Sequence, residues 1–393
     1  MITQIAEAAL EPFKGNVKVI CASSLTNGDR VAGECQGFAY VHRVNAGNGD
    51  KNNVITRIIK LLMVSIGFSW HAIRVVKKSD VIFFVTNPAF IIVPFALLHK
   101  IRKVKMCLLV YDIFPENLSA AGLLSEKSIK YRIMKKIFDW SYKQFNELIA
   151  IGTDMKTVLE RKGVDAKKIL VIENWSDSQN ICPSERDNNL YLKKFNIVAK
   201  RTFLFAGNIG RVQGIPCLID AIKKAALKHS AFVFVGDGAM QGAVMQLAAS
   251  VDNVFCTGVL DKSRQNEFLG AGDVAIITLG EGMFGLGVPS KSYFYMAAGK
   301  PLLFVGDERS EIAGMIKKYK IGWICPAGCD HELAAMLKSI EEIPAETITD
   351  MGRRAREVLC EHYSREVKMR QYQSLFQEFA LGGINKSNIG KSI

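Results

Sequence analysis

The stretch TFLFAGNIGRVQG, residues 202–214, decides the fold of this 393-residue chain. The residues up to Ala206 form an apolar run, as expected for a strand buried on both faces, and Gly207 ends it. From Ile215 to Leu227 apolar residues recur at helical spacing. A buried strand, a glycine-bearing turn and a helix form the repeating unit of a doubly wound α/β sheet with parallel strands.

The same unit recurs along the second half of the chain and, less regularly, along the first half. Helical spacing returns from Met240 to Ser250, between two short apolar runs. The predicted strands lie at residues 17–21, 80–85, 104–110, 148–151, 202–206, 231–235, 253–256, 274–277 and 301–305. The polar segment 174–200 between the two sets is suited to a hinge, so the pattern predicts two adjacent Rossmann-like domains.

The length and the cysteines set the class of protein. A chain of 393 residues is too long for one ordinary hydrophobic core, which also favours two domains. The nine cysteines are scattered and odd in number, without paired CxxC motifs or a histidine cluster. This pattern disfavours a zinc site or a disulfide framework and favours a reducing, cytoplasmic compartment. The residues after Met1 do not resemble a secretory signal.

The positive charge is concentrated in the first half. Between Lys51 and Lys143 there are 16 lysines and arginines against five acidic residues, in a chain of net charge +13. Such a bias favours a polyanion or an anionic membrane as partner. Without a zinc-finger or RNA-recognition signature, nucleic acid is the weaker interpretation.

Two apolar segments of the first half bear on the membrane. Residues 54–78 predict a long helix, either buried on the first sheet or lying in the membrane interface. Residues 81–99 carry no charged side chain and approach transmembrane length. Asn87 and Pro88 divide that stretch, which favours a strand, a turn and a helix over a membrane span.

The segment GVPSKSYFYMAAGKP, residues 287–301, predicts a phosphate site. Free N–H groups at a helix start, joined by the Ser290 hydroxyl and the Lys291 ammonium, suit a diphosphate. Glycine-bearing turns at residues 207–214, 236–238 and 285–291 all follow strands, whose carboxyl ends are where open α/β sheets bind ligands. Because none of the turns matches GxGxxG, a nicotinamide cofactor is disfavoured.

Four motifs together resemble a known family. They are GNIGRVQG (residues 207–214), VGDG (235–238), VPSK with MAAGKP (288–301), and DIFPENLSAAGLL (112–124). This combination is similar to glycosyltransferase family 4, retaining enzymes of the GT-B fold, and most of all to bacterial members that build surface polysaccharides. The resemblance extends over residues 2–379 and implies an α/β protein of two Rossmann-like domains, with parallel sheets and a deep cleft between them.

The resemblance implies a division of the chain and of its roles. Residues 1–175 would bind the acceptor, 176–363 the nucleotide-sugar, 364–380 would form a helix crossing back to the first domain, and 381–393 a tail. Arg211 and Lys291 would be catalytic, holding the donor diphosphate, and no metal or other cofactor is implied. Ser290 would bind the donor together with Gly207, Asn208, Gly210, Gln213, Gly236, Gly238, Val259, Leu260, Glu281, Gly287, Val288 and Pro289.

Each of these roles has a plain alternative. Arg211 and Lys291 could be ordinary solvated side chains. Asp112 and Glu116 could orient an acceptor hydroxyl, or could serve as helix-capping or turn residues.

The chain departs from the family pattern at three places. Phe294 stands where relatives carry a ribose-binding carboxylate, and its partner position holds Leu286, with Glu281 thirteen residues before Phe294. Gln213 stands where many relatives have a lysine. In the family, the helix expected at residues 2–10 is normally preceded by a strand and a glycine-rich loop. Three explanations stay open: a wrongly assigned start, a truncated gene, or a first sheet that is one strand short.

The implied reaction is transfer of a hexose or N-acetylated hexosamine from a UDP-sugar to a polyprenyl-diphosphate-linked saccharide. It would serve O-antigen, capsule or exopolysaccharide synthesis on the inner face of the cell membrane, with the protein peripheral to that surface. Two alternatives stay open: a nucleotide-sugar epimerase of the same fold, and an inactive, truncated transferase-like protein that only binds partners. The epimerase would need histidines near the glycine turns, and the six histidines are not grouped there.

Overall fold

The computed structural model describes residues 1–22, 38, 40–44, 54–184, 186 and 188–381, with residues 54–58 and 262 as backbone. The predicted tail at 381–393 lies outside the described residues except for Leu381. The described chain forms two α/β domains, each with a parallel sheet, as predicted.

In its described residues, the first domain contains six strands and six α-helices. The strands are β1 (Lys18–Ala22), β2 (Tyr40–Val44), β3 (Val81–Val85), β4 (Lys105–Val110), β5 (Glu147–Ala150) and β6 (Ile169–Val171). The α-helices are α1 (Ile2–Ala8), α2 (Val54–Val75), α3 (Ile92–Arg102), α4 (Glu116–Ala120), α5 (Ile129–Gln144) and α6 (Thr153–Arg161), with 3-10 turns at Ala89–Ile91 and Ala166–Lys168.

The sheet of the first domain is divided. Strands β3 to β6 form a parallel four-stranded sheet in chain order, and β1 pairs in parallel only with β2 among the described residues. Most side chains of β3 are half-buried, whereas β4 is buried except at its first residue.

The second domain contains a parallel six-stranded sheet. Its strands are β7 (Arg201–Ala206), β8 (Ser230–Val235), β9 (Val254–Cys256), β10 (Val274–Thr278), β11 (Leu302–Val305) and β12 (Gly322–Cys325). Its α-helices are α7 (Leu190–Lys194), α8 (Ile215–Ala225), α9 (Gln241–Ser250), α10 (Gln265–Gly270), α11 (Lys291–Ala297), α12 (Glu311–Tyr319), α13 (Asp330–Glu342) and α14 (Ala345–Val358), with 3-10 turns at Arg211–Gln213 and Lys262–Arg264. Across the sheet the strands lie in the order β12-β11-β10-β7-β8-β9. Strands β8 and β9 lie on one side of β7 and strands β10 to β12 on the other, so the strand order reverses between β7 and β10.

The apolar runs form strands because both faces of this sheet are covered. On β7, Phe203 and Phe205 belong to the core on one face of the sheet, and Leu204 and Ala206 to the core on the other. All six residues of β7 are buried, as in a parallel sheet with helices on both sides. Because the strand order reverses between β7 and β10, a crevice opens at the carboxyl ends of these two strands.

The chain crosses between the domains at two adjacent points. Ser176 and Ser364 form an isolated parallel bridge. Ser364 lies between a π-helical turn at Leu359–Tyr363 and α15 (Arg365–Ala380). Helix α15 then packs on the first domain, with the Phe376 ring 5.5 Å from that of Phe83. Helix α15 therefore contacts the first domain, and the predicted division of the chain stays a prediction.

No helix in the described part of the chain is both long and apolar enough to cross a bilayer. The uncharged stretch at 81–99 forms β3, a 3-10 turn and most of α3, as predicted. Helix α2 is long but two-sided: Val64, Ser65, Ser69 and Ala72 are buried, and the opposite face is exposed.

Candidate active site

A cavity of about 540 Å³ lies in the crevice of the second sheet. Its walls come from the ends of β7 and β8, the 258–260 turn, α10 and the start of α11. The volume is in the usual range for small-ligand sites, and the position at a strand-order reversal is where doubly wound sheets bind ligands.

Gly207 and Gly236 line this cavity, and their backbones approach each other closely. Gly207 and Gly236 have φ angles of +138° and +140°, which side chains rarely adopt. A Cβ on Gly236 would lie 1.9 Å from the Gly207 carbonyl oxygen. The backbone N–H of Gly236 also donates to the carbonyl of Gly258 at 2.8 Å, so the turns after β7, β8 and β9 are held side by side.

Lys291 is the cation that lines the cavity. Its Nζ lies 3.6 Å from the centre of the Phe205 ring and donates to Gln213 Oε1 at 3.0 Å. Burial lowers the pKa of Lys291 to about 7, because little in this apolar setting compensates the charged form. An anion entering the cavity would supply that compensation, so the site is arranged for negative charge.

The start of α11 supplies further donors. Ser290 stands at the N-cap position and its side chain makes no capping hydrogen bond. The N–H groups of Ser292 and Tyr293 donate back to the carbonyls of Pro289 and Ser290, both at 3.2 Å. The Ser290 hydroxyl and the Lys291 ammonium are thus the side-chain donors that this turn presents to the cavity.

The structure brings nine of the predicted residues together along the cavity wall. They are Gly207, Asn208, Gln213, Gly236, Val259, Leu260, Pro289, Ser290 and Lys291. Gly210 and Gly238 stand behind the wall, where a Cβ on Gly238 would come 2.4 Å from the Ile209 carbonyl oxygen. Arg211 is exposed, in the short helical turn that also contains Gln213.

Three further predicted donor residues, Glu281, Gly287 and Val288, are not part of the cavity lining. A Cβ on Gly328 would lie 3.0 Å from the carboxylate of Glu281, which places this carboxylate beside the loop after β12. Gly287 and Val288 face the first domain: a Cβ on Gly287 would be 3.5 Å from Asp112 Oδ1, and Val288 packs beside Gly152.

Asp112 lies at the end of β4, opposite this loop of the second domain. Its Oδ1 accepts a hydrogen bond from Asn117 Nδ2 at 2.9 Å, and Asn117 also donates to the Leu286 carbonyl at 3.3 Å. Burial raises the pKa of Asp112, and the hydrogen bond from Asn117 offsets part of that rise. Asp112 is therefore placed at the contact between the domains.

Glu116 belongs to a separate ion-pair cluster inside the first domain. Its carboxylate lies 2.7 Å from Lys162 Nζ and 2.6 Å from Lys135 Nζ, and both lysines also pair with Asp139. Burial acts to raise the pKa of Glu116, but the two lysines outweigh it and the pKa is lowered. A carboxylate held in this way stabilises α4 and α5 rather than pointing to a ligand.

Several lining residues were not in the predicted set. They are Ala206, Val235, Asp237, Gln265, Phe268, Leu269, Phe294 and Tyr295. Phe294 was noted only as a departure from the family pattern, and Tyr295 is fixed by hydrogen bonds between its hydroxyl and the backbone of Ala206. The contribution of α10 could have been inferred, because this helix begins directly after the 258–260 turn at the same edge of the sheet.

The arrangement has one polar end and one apolar end. Lys291 Nζ donates to Gln213 beside Ser290, and we call these three residues the polar end. Val259, Leu260, Phe268 and Leu269 are apolar residues of the lining, and we call them the apolar end. A ligand with an anionic part and a flat, less polar part fits this division. Among the described residues, no group of three or more His, Cys, Asp or Glu is placed to hold a metal ion.

Comparison with known proteins gives the family. The model of "Glycosyl transferases group 1" matches residues 188–358, which contain all of the residues that line the cavity. The probable glycosyltransferase WbjE of Pseudomonas aeruginosa is 35% identical over 325 residues, 82% of this chain and 80% of the relative. The chain belongs to the glycosyltransferases.

Solved structures give this glycosyltransferase the GT-B fold. Anabaena Alr3699/HepE in complex with UDP-glucose aligns with a TM-score of 0.68 at 15% identity, covering 96% of both chains. Sucrose-phosphate synthase from Thermosynechococcus elongatus aligns with a TM-score of 0.69 at 12% identity, covering 93% of this chain and 100% of that one. The predicted GT-B architecture is confirmed.

Proposed function

We propose that this glycosyltransferase is a retaining enzyme of family 4 that transfers a hexose or N-acetylhexosamine from a UDP-sugar. The observation that carries the proposal is the half-buried Lys291, held between Phe205 and Gln213 beside Ser290 at the polar end of the cavity. A nucleoside diphosphate matches the two ends of the site: its anionic diphosphate would face Lys291, and its flat base would face the apolar end. The likeness in fold to Alr3699/HepE, which binds UDP-glucose, supports a nucleotide-sugar donor.

In the proposed reaction, the residues of this chain stabilise the departing diphosphate. Negative charge grows on the bridging oxygen as the sugar leaves, and a cation fixed beforehand in an apolar site stabilises such charge strongly. Lys291 would supply this cation, and Arg211, at the rim, would add a second by moving onto the phosphates. Asp112, at the contact between the domains, would orient the acceptor hydroxyl.

The acceptor that we propose is a saccharide linked to a polyprenyl diphosphate, for O-antigen, capsule or exopolysaccharide synthesis. Its support is a surface of the first domain that combines exposed apolar and basic side chains. Helices α2, α3 and α5 form one layer, in which α3 packs against both neighbours. The exposed apolar residues of this three-helix surface are Ile59, Leu62, Met63, Ile66, Trp70, Ile73, Leu97, Ile101, Ile129, Ile133 and Ile137.

Basic side chains surround these apolar residues. Those exposed are Arg74, Lys77, Lys78, Lys100, Arg102, Lys103, Lys127, Lys130, Arg132 and Lys136. The Arg74 guanidinium also stacks 4.3 Å from the centre of the Trp70 ring. An apolar stripe within a basic field is suited to the interface of an anionic membrane, so we place the enzyme peripherally on the inner face of the cell membrane.

The donor proposal is tested by calorimetry with UDP and by turnover. We expect UDP to bind and a UDP-sugar to be consumed only when a polyprenyl-diphosphate-linked saccharide is supplied. The anomeric configuration of the product, read by NMR, tests retention. Absence of UDP binding would remove the donor proposal, and binding without any transfer would favour a protein that only binds partners.

UDP binding is expected to take up a proton above about pH 7. In the ligand-free protein the pKa of Lys291 is lowered to about 7 by burial, and a bound diphosphate would raise it. At a pH between the Lys291 pKa of the free protein and that of the complex, UDP binding is accompanied by the uptake of at most one proton. The affinity therefore falls by up to about tenfold for each pH unit. Calorimetry in buffers of different ionisation enthalpy measures this uptake.

The matched control for the proton uptake is Lys291→Arg. A guanidinium stays charged throughout this range, so its UDP affinity is expected to be independent of pH above about 7. Wild-type binding without proton uptake at pH 8 would show that Lys291 is not the group that meets the diphosphate.

Membrane binding is expected to depend on Ile66, which is 68% exposed near the middle of the three-helix surface. Ile66→Glu removes a side chain whose full burial contributes about 1.5–3 kcal/mol and places a negative charge at the lipid, so binding should fall by at least about tenfold. Sedimentation with vesicles of phosphatidylglycerol and phosphatidylcholine measures the effect.

Val198→Glu is the control for membrane binding, since Val198 is 98% exposed but lies in the second domain. This variant should bind vesicles as the wild type does, and both variants should bind UDP normally. Equal vesicle binding by Ile66→Glu and the wild type would rule out the three-helix surface as the membrane contact.

A further inference from the structure

Two helices from different domains meet N-terminus to N-terminus. Helix α6 begins at Thr153 in the first domain, and α12 begins at Glu311 in the second. The residues before them, Gly152 and Ser310, give their own helices no side-chain cap. Two positive helix ends that face each other repel unless negative charge is placed between them.

Each helix receives its cap from the other. Glu311 Oε2 accepts hydrogen bonds from Thr153 N at 2.8 Å and from Thr153 Oγ1 at 2.7 Å. In return, Asp154 Oδ2 accepts from Glu311 N at 3.1 Å. A carboxylate at a helix N-terminus both satisfies an orphan N–H and interacts favourably with the helix dipole. We call this pair of contacts the reciprocal cap.

The reciprocal cap is enclosed by the two domains. Asp154 is 4% exposed, and burial raises the pKa of both Asp154 and Glu311. The contact is tight at Gly152, where a Cβ would come 2.6 Å from Asp154 Oδ1 and 3.1 Å from Glu311 Cβ. Two buried carboxylates of this kind are stabilised by the helix ends that they cap, so separating the domains would leave both ends and both carboxylates without these partners.

The reciprocal cap is also connected to the loop of the candidate active site. The backbone of Gly285 lies against Asp154: a Cβ on Gly285 would come 2.6 Å from the Asp154 carbonyl oxygen. One residue later, the Leu286 carbonyl accepts from Ile113 N of the first domain at 3.2 Å. The segment 285–291, which ends in Ser290 and Lys291, is therefore attached at its beginning to the first domain.

We propose that Asp154 and Glu311 are positioning residues, which couple contact between the domains to the arrangement of segment 285–291. When the domains are together, the reciprocal cap, the packing of Gly285 on Asp154 and the Ile113–Leu286 hydrogen bond hold this segment so that Lys291 and Ser290 face the donor. When the domains separate, the segment loses its attachment and the diphosphate site loosens. The inference deepens the proposed function and, for its effect on UDP, rests on it.

The test compares three variants of the full chain with the wild type. Glu311→Ala removes the cap of α6, whereas Glu311→Gln keeps an amide oxygen that can accept the same hydrogen bonds from Thr153. Glu308→Ala is the control, because Glu308 is three residues away and its carboxylate forms an exposed pair with Lys317.

Two measurements are made on each variant. Hydrogen exchange of segment 285–291 in the ligand-free protein should be roughly tenfold faster in Glu311→Ala, and UDP affinity should fall by roughly tenfold, in the usual range of coupling between sites. Glu311→Gln should stay near the wild type in both, and Glu308→Ala should equal it. Should Glu311→Ala fail to fold, Thr153→Val, at an exposed position, removes one of the two hydrogen bonds and is expected to show a smaller change in the same direction.

The outcomes separate this inference from the proposed function. A lower melting temperature in Glu311→Ala, with wild-type exchange of 285–291 and wild-type UDP affinity, would reduce the reciprocal cap to a structural contact and overturn the proposal. If the wild type itself does not bind UDP, the donor proposal fails, and the exchange measurement alone still decides whether the cap holds the segment.

Discussion

Lys291→Met is expected to lower turnover of the UDP-sugar by about a hundredfold to a thousandfold, and at the same time to stabilise the fold. The loss of turnover follows from the position of the ammonium, which is fixed by Phe205 and Gln213 at the polar end of the cavity. Removing one preorganised donor to charge that develops in a transition state has effects of this size. Methionine matches the length of lysine and leaves the apolar contacts in place.

The gain in stability arises because burial is unfavourable for the charged form of Lys291. Burial lowers the pKa of Lys291 to about 7, which means that the folded protein disfavours the charged lysine relative to the unfolded chain. An apolar side chain avoids that cost, so the free energy of unfolding should rise by about 1–3 kcal/mol near neutral pH. Because the unfolded chain binds the extra proton between about pH 7 and pH 10, the wild type becomes more stable as the pH rises through this window. The difference in the free energy of unfolding between the methionine variant and the wild type should therefore shrink as the pH rises.

The two readouts for Lys291→Met are steady-state turnover and denaturant unfolding at several pH values. Lys300→Met is the comparison, since burial also lowers the pKa of Lys300, to about 8, while its Nζ donates to the Gly270 carbonyl away from the cavity. It should keep turnover within about tenfold of the wild type. A Lys291→Met enzyme with nearly full turnover would contradict the assignment of Lys291 as the donor cation.

Gly236→Ala is expected to have the largest effect on stability, a fall of about 3 kcal/mol or more in the free energy of unfolding. A Cβ at this position would lie 1.9 Å from the Gly207 carbonyl oxygen, a backbone atom that cannot move without disturbing β7. The φ angle of +140° adds strain for any residue other than glycine. Since Gly207 and Gly236 both line the cavity, UDP binding should be lost as well.

Gly242→Ala is the matched control, with the same change six residues further on. Gly242 lies in the first turn of α9, and no atom outside its own helix comes within 4 Å of the Cβ position. Alanine there favours the helix and restricts the unfolded chain, so stability should rise by up to about 1 kcal/mol. Denaturant unfolding monitored by circular dichroism measures both variants. A Gly236→Ala protein as stable as Gly242→Ala would show that the turns after β7 and β8 are not in contact.

The strand β12 (Gly322–Cys325) was not predicted, but the other five strands of the second domain, β7 to β11, were predicted to within one residue. Each is a continuous apolar run, because a parallel sheet covered on both faces leaves no polar side, and each ends at a glycine or a polar turn. The run at 202–206 became β7 from Arg201 to Ala206, and the run at 231–235 became β8 from Ser230 to Val235. The glycine turns and VPSK then located the cavity, since the carboxyl ends of parallel strands meet at one edge of the sheet.

The surroundings of individual charged residues could not be predicted. Glu116 was considered for the acceptor, yet it pairs with Lys135 and Lys162, which are 19 and 46 residues further along the chain. The loop after β10 was treated as a donor loop throughout, although Gly287 and Val288 face the first domain. Spacing along a strand or helix carries no information on which side chain of another element lies opposite.

The sequence by itself determined the two-domain parallel architecture and the edge of the second sheet where the cavity lies, because both depend on local periodicity and on glycines at strand ends. Only the tertiary structure decided that Lys291 is desolvated on the Phe205 ring, and that Asp154 and Glu311 cap each other's helices across the domain contact. Burial and reciprocal capping depend on which elements pack together over long sequence distances. The charge state of the lysine and the coupling of its loop to the first domain are therefore properties of the packed molecule.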